Sequence, residues 1–144
     1  MAFSQRQQHP VFVYGTLRTG QPNHRLFNEG VIASINPAIL RRAQMHGAGR
    51  GFPYVTDGDN EVVGELVWLT ADRYQDTMRR LDRLEGYHGP AARNHYDRVQ
   101  RDVATESSDG DEVLVTAWVY LAAPGIRVGA PVSTGDWVAS TEAA

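Results

Sequence analysis

The chain reads as an α+β domain whose sheet is largely antiparallel and able to close into a barrel. Three observations carry that expectation. Strand-like runs recur along most of the 144 residues, one segment alone has convincing helical periodicity, and strands and helices do not alternate as they do in a parallel sheet. A chain of this length supports one domain with a real core, here 1–144, with residues 1–9 and 139–144 as flexible ends.

Taken in order, Pro10 tolerates a strand start, and Val11-Phe12-Val13-Tyr14 is a short buried strand that breaks into a loop bounded by Gly15 and Gly20. Residues 22–27 read as a short helix, with Gly30 as its stop. The run VIASINPAILRRAQMH (31–46) alternates as strands broken near Asn36-Pro37. A flexible loop at 47–51 follows, and Phe52–Val55 then enters a turn at Asp57-Gly58-Asp59-Asn60. EVVGELVWL (61–69) is a strong strand with Gly64 as a bulge. Thr70 is placed to cap the main helix, with Asp72 in its first turn. Tyr74, Met78 and Leu81 form the core stripe of that helix, and Gly86 ends it. Strands at 94–105 and 112–121 flank a hairpin tip, Ser107–Asp111, and a last short element lies around Asp136-Trp137-Val138.

Composition excludes several classes of function. A formal net charge of −3 supplies no basic field to draw the chain to nucleic acid or an anionic membrane. Arg79, Arg80 and Arg83 are interrupted by Asp82 and read as a solvated helix face. Without cysteine there is no disulfide, thiolate zinc site or cysteine nucleophile. Met1–His9 lacks the apolar run of a secretory signal, and no apolar run approaches the roughly 20 residues of a membrane helix. A soluble cytoplasmic protein is expected, with neither nucleic acid nor membrane as partner.

The segment VFVYGTLRTGQPNH (11–24) has the outline of a phosphate-binding loop, a strand followed by G-x-x-x-x-G. That motif needs Lys and then Ser or Thr after the second glycine, where Gln21 and Pro22 stand. The histidines, at 9, 24, 46, 88 and 95, form neither an HxH pair nor HExxH, and read as surface or capping residues. No serine lies in a G-x-S-x-G elbow.

The anomaly is in LDRLEGYHGP (81–90). Continuing the stripe Tyr74, Met78, Leu81 by one turn demands an apolar residue at 85, and Glu85 is there. A carboxylate on such a stripe is costly unless it is neutral, paired or lining a cavity. Desolvation and the negative end of the helix dipole both favour its neutral form, and a carboxyl poised near neutrality suits proton shuttling. Pairing with Arg98 or Arg101 beneath the helix end is an equal alternative. Asp72 and Asp82 fall on the polar face, where solvation is expected.

YGTLRTGQPNH and LDRLEGY, in that order, resemble the signature pair of the γ-glutamylcyclotransferase-like (AIG2-like) proteins, with the likeness strongest to the γ-glutamylamine cyclotransferase branch. It extends through Gly51-Phe52-Pro53, Val63-Gly64-Glu65-Leu66, Tyr96-x-Arg98 and Gly135-Asp136-Trp137, covering residues 10–138. The resemblance implies a small mixed barrel with a main and a short helix packed against it. It implies release of an amine from a small-molecule γ-glutamyl amide as the glutamyl group cyclises to 5-oxoproline, with no cofactor or metal. Carried over by motif, Glu85 is the general acid/base, and Tyr14, Gly15, Thr16 and Leu17 hold the glutamyl moiety through backbone N–H groups. Tyr96, Arg98 and Tyr120 match further pocket positions, while Asn23 is assigned only a capping role. Two alternatives keep the same pocket: a non-catalytic small-molecule binding module, and an amide hydrolase in which Glu85 activates water.

Overall fold

The computed structural model describes residues 8–143. Its five strands are β1 (Val11–Val13), β2 (Ile32–Gly47), β3 (Pro53–Leu69), β4 (Tyr96–Glu106) and β5 (Glu112–Ala122). They close a barrel in the order β1-β3-β2-β4-β5. Every neighbouring pair is antiparallel except the seam. There β1 meets β5 in parallel at Val11 and Trp118, and the Trp118 N–H bonds the Pro10 carbonyl at 2.9 Å. Two α-helices lie outside the sheet, α1 (Tyr74–Glu85) and α2 (Trp137–Ala143), with 3₁₀ turns at His24–Leu26 and Ala71–Arg73. None is long and apolar enough to cross a membrane.

The alternation of side chains along each strand divides the core in two. Phe12, Met45, Val62, Leu66, Val103 and Val119 fill the barrel. Their neighbours Val11, Val13, Val67, Tyr96 and Tyr120 face outward and receive Tyr74, Met78 and Leu81 of α1. The expected helical stripe is therefore buried, and it carries the end of α1 onto the rim where β1, β4 and β5 begin or end. Gly86, at φ 65°, terminates the helix, with the Tyr87 N–H returning to the Asp82 carbonyl at 2.9 Å.

Five local expectations need correction. The break at Asn36-Pro37 does not occur. Pro37 lies within β2 opposite Glu65, one residue before pairing with β4 begins at Ala38, so its missing N–H falls where no ladder bond is required. The turn at 57–60 is instead a bulge within β3, where Ala43 faces both Asp57 and Asn60 and the two long strands bend to close the barrel. Gly64 is no bulge, since its register against Ala38 is continuous. It is a point of close approach: a Cβ there would sit 2.3 Å from the Val13 carbonyl oxygen and 2.7 Å from Phe12 Cζ. Thr70 makes no side-chain capping bond, because a 3₁₀ turn separates it from α1, and its buried Oγ1 has no partner. The short helix expected at 22–27 is a 3₁₀ turn, and the expected lead-in Met1–Gln7 lies outside the described residues.

Because Val13 is backbone in the β1–β3 ladder, the clash at Gly64 cannot be relieved by a side-chain rotation. Gly64→Ala is expected to lower unfolding stability by at least about 2 kcal/mol in urea denaturation, at the upper end of ordinary overpacking. Wild-type stability in that variant would contradict the close packing of β1 on β3.

Candidate active site

The end of α1, the loop after β1 and the residues leading into β3 and β4 enclose a cavity of about 410 Å³. Its wall contains Glu85, the whole of Tyr14–Leu17, Tyr96 and Tyr120, so all but one of the sequence-derived candidates converge there. The exception is Arg98. Its guanidinium pairs with Asp82 and stacks over Trp118 at 4.3 Å and Tyr87 at 5.3 Å, apart from the cavity lining.

The loop is held by its carbonyls and side chains. The Arg18 N–H closes a turn on the Gly15 carbonyl at 3.1 Å, and the Asn23 N–H bonds the Thr16 carbonyl at 2.8 Å. Asn23 Nδ2 donates to Thr16 Oγ1 at 2.9 Å, and His24 Nδ1 lies 2.9 Å from the Leu17 carbonyl. Asn23 thus braces the loop and makes no side-chain cap for the 3₁₀ turn after it. Glu65 accepts the Thr19 N–H at 2.7 Å, and Arg18 pairs with Asp136 at 2.8 Å. Among the described residues no acceptor is bonded to the N–H groups of Gly15, Thr16 or Leu17. Adjacent uncommitted donors of this kind suit an anion or a developing oxyanion. Gly15 is required where it stands: a Cβ would lie 2.8 Å from the ring carbons of Pro53. Gly20, at φ 81°, is a turn residue outside the cavity wall.

Glu85 lines the same cavity as the loop. Burial pushes its carboxyl up to about 7. Neither basic residue considered for pairing reaches it. Arg98 is engaged by Asp82, and Arg101 by the Gln100 carbonyl at 2.9 Å and Asp57 at 3.5 Å. The Glu85 carboxyl makes no ion pair or side-chain hydrogen bond with the described residues. Around it stand neutral phenols. Burial, reinforced by the nearby Glu85 charge, pushes Tyr14 and Tyr96 well above the usual tyrosine range, and Tyr120 is raised chiefly by burial and by Asp82. These hydroxyls donate to the Tyr120 carbonyl, the Pro53 carbonyl and Asp82, and so fix the ring positions.

Sequence reasoning missed three contributors. His95 lines the cavity, shares a hydrogen bond with the Tyr54 hydroxyl and sits in an aromatic group with Phe52 and Tyr96. Nothing in its local sequence marks it. Arg50 reaches the same wall from the loop before β3. Asp82, expected in solvent, is half-buried beneath the helix and bonded to both Arg98 and Tyr120. The available signal was its spacing: 78, 82 and 85 share one flank of an α-helix.

The family model "Gamma-glutamyl cyclotransferase, AIG2-like" matches residues 11–139, and the chain belongs to that family. It is 34% identical over 112 residues to a gamma-L-glutamyl-butirosin B gamma-glutamyl cyclotransferase of Niallia circulans, covering 77% of this chain and 65% of that protein. It is 35% identical over 102 residues to a bovine gamma-glutamylaminecyclotransferase, covering 56% of this chain and 60% of that one. The chain thus spans less than two thirds of either relative. Among solved structures, an AIG2-like protein of Mus musculus superposes with a TM-score of 0.62 at 26% identity, covering 82% of this chain and 79% of that one.

The upward shift of the Glu85 carboxyl makes stability depend on pH. Its carboxyl binds a proton more tightly in the folded than in the unfolded state. Its contribution is therefore most favourable below about pH 4.5 and is lost as pH rises towards about 7. Glu85→Gln removes the ionisable group. It is expected to exceed the wild type in stability at pH 8 by roughly 1–3 kcal/mol, with the gap closing as pH falls to 4.5. Urea denaturation at the two pH values measures this. A Gln variant less stable than wild type at pH 8 would mean that Glu85 has a favourable partner.

Proposed function

We propose that this protein converts a γ-glutamyl amide to 5-oxoproline and a free amine, with Glu85 as the general acid/base. The observation that carries the reading is an unpaired, desolvated carboxyl facing a loop with three free N–H donors across one cavity. No side-chain nucleophile is needed, because the substrate brings its own amine. The Gly15–Leu17 donors hold the glutamyl end of the substrate and place its α-nitrogen against Glu85.

The α-amine arrives as an ammonium. Glu85, as carboxylate, removes one proton, and the freed lone pair attacks the γ-carbonyl carbon to close a five-membered ring. The carbonyl oxygen becomes an oxyanion, for which the uncommitted backbone N–H groups of residues 15–17 are suitable donors. As it collapses, the bond from the γ-carbon to the amide nitrogen breaks, and protonated Glu85 supplies the leaving nitrogen with a proton. A second proton leaves the ring nitrogen by the same route. The released amine then departs as an ammonium, and Glu85 ends as carboxylate. Folding the glutamyl chain so that amine and carbonyl meet supplies a further orientational gain of several kcal/mol. The Niallia circulans and bovine relatives, named for γ-glutamyl cyclotransfer, support this choice of reaction.

A panel of γ-glutamyl amides, followed by 5-oxoproline release, tests the reading. Glu85→Gln is expected to keep the fold and lose at least about 10²-fold in kcat, the scale of general acid–base catalysis. In the wild type, kcat/KM should rise with pH through about 7, because the carboxylate is the form that begins the reaction. Free glutamate in place of 5-oxoproline would instead identify hydrolysis, and full activity in the Gln variant would remove Glu85 from its role.

A further inference from the structure

Asp82 occupies a position that neither the helix nor the reaction accounts for. It is three residues before Glu85, and its carboxylate is the junction of two hydrogen-bonded chains. On one side, Tyr120 Oη donates to Oδ1 at 2.7 Å, while the Tyr120 carbonyl accepts the Tyr14 hydroxyl from the loop. On the other, Arg98 Nε donates to Oδ1 at 2.8 Å and Nη2 to Oδ2 at 3.3 Å. Arg98 is itself flattened against Trp118, whose Nε1 donates to Tyr74 Oη at 3.0 Å at the opposite end of α1. Even the Asp82 carbonyl is used, accepting the Tyr87 N–H just beyond Glu85. A solvated acid on a helix surface has no need of three bonds to its carboxylate.

We propose that Asp82 is a positioning residue for Glu85: it ties the last turn of α1 to Tyr120 in the cavity wall and cancels the charge of Arg98 behind the site. The inference rests on the reading of Glu85 as the general acid/base. Two effects follow from the one carboxylate. Mechanically, α1 reaches the cavity only at its final turn, and the Asp82–Tyr120 bond fixes that turn against the strand opposite. Electrostatically, Arg98 is held by Asp82 one helical turn from Glu85, and an unbalanced guanidinium there would favour the charged form of Glu85 and weaken it as a base. Burial is what lifts the Glu85 carboxyl above the usual carboxylate range. Other titratable or charged groups line the cavity with Glu85 from the loop after β1 (Tyr14), the loop before β3 (Arg50), β4 and the residue before it (Tyr96, His95) and β5 (Tyr120), with Tyr54 of β3 behind Tyr14 and Tyr96.

The decisive readout is the side-chain carboxyl carbon of Glu85 itself, followed by ¹³C NMR in wild type, Asp82→Asn and Arg98→Gln. Asp82→Asn leaves Arg98 unbalanced, and the Glu85 midpoint should fall by about half a pH unit or more. Arg98→Gln leaves Asp82 unbalanced, and the midpoint should rise by a similar amount. With a γ-glutamyl amide, Asp82→Asn should also lower kcat about tenfold while KM moves less than threefold, since the catalytic group rather than the substrate loop is displaced. A merely structural ion pair would lower thermal stability in both variants without moving the midpoints in opposite directions. Unchanged midpoints in both variants would overturn the proposal. Should Asp82→Asn fail to fold, Arg98→Gln alone decides by the presence or absence of its upward shift. Opposite shifts without 5-oxoproline from any γ-glutamyl amide, even in wild type, would uphold the electrostatic role and reject the proposed reaction.

Discussion

The site depends on keeping one carboxyl out of water and without a counter-ion. Glu85 continues the face of α1 that buries Tyr74, Met78 and Leu81, so the packing that holds the helix on the barrel also desolvates the carboxyl. The arrangement works against stability at neutral pH, and the rest of the fold has to offset it. It does so with a closed sheet in which Phe12, Met45, Leu66 and Val119 are almost wholly buried, and with a helix end locked by a left-handed glycine and by Asp82.

Charge around the cavity is sorted to the same end. Arg98 is matched by Asp82 and Arg18 by Asp136, each pair partly buried and at hydrogen-bonding distance. Farther out, Arg41 pairs with Glu61 and Glu112, and Arg101 approaches Asp57. These exposed pairs contribute little to stability. The two inner pairs matter for what they leave over: one carboxyl without a partner, facing three backbone donors whose own carbonyls are bonded elsewhere. A carboxyl held near neutrality and a set of uncommitted backbone donors lining one cavity suit a substrate that carries both its nucleophile and its electrophile.

Much of this was legible in the chain. The helical stripe and its Glu85 anomaly, the glycine stop at 86, the strand pair expected at 94–105 and 112–121 and found at 96–106 and 112–122, and the glycine loop after β1 follow from periodicity and turn chemistry, which act over a few residues. What was not legible depends on residues distant in sequence. Gly64 looks like a bulge until Val13 is laid across it. Asp57–Asn60 looks like a turn because nothing local shows that Ala43 faces both of its ends. Asp82 looks solvated because Tyr120 and Arg98, which claim it, lie on later strands. His95 enters the site through the Tyr54 hydroxyl, a partner 41 residues away.

The central claim is that Glu85 and the Gly15–Leu17 donors grip the two ends of one glutamyl group. A crystal structure of the Glu85→Gln variant with a γ-glutamyl amide tests this most directly, because the bound substrate survives in that variant. The account predicts the α-nitrogen within hydrogen-bonding distance of the residue 85 side chain, the glutamyl carboxylate or γ-carbonyl oxygen on the N–H groups of residues 15–17, and the chain folded with amine and carbonyl adjacent. A glutamyl group bound outside the cavity, or lying extended with its amine turned away from residue 85, would contradict it.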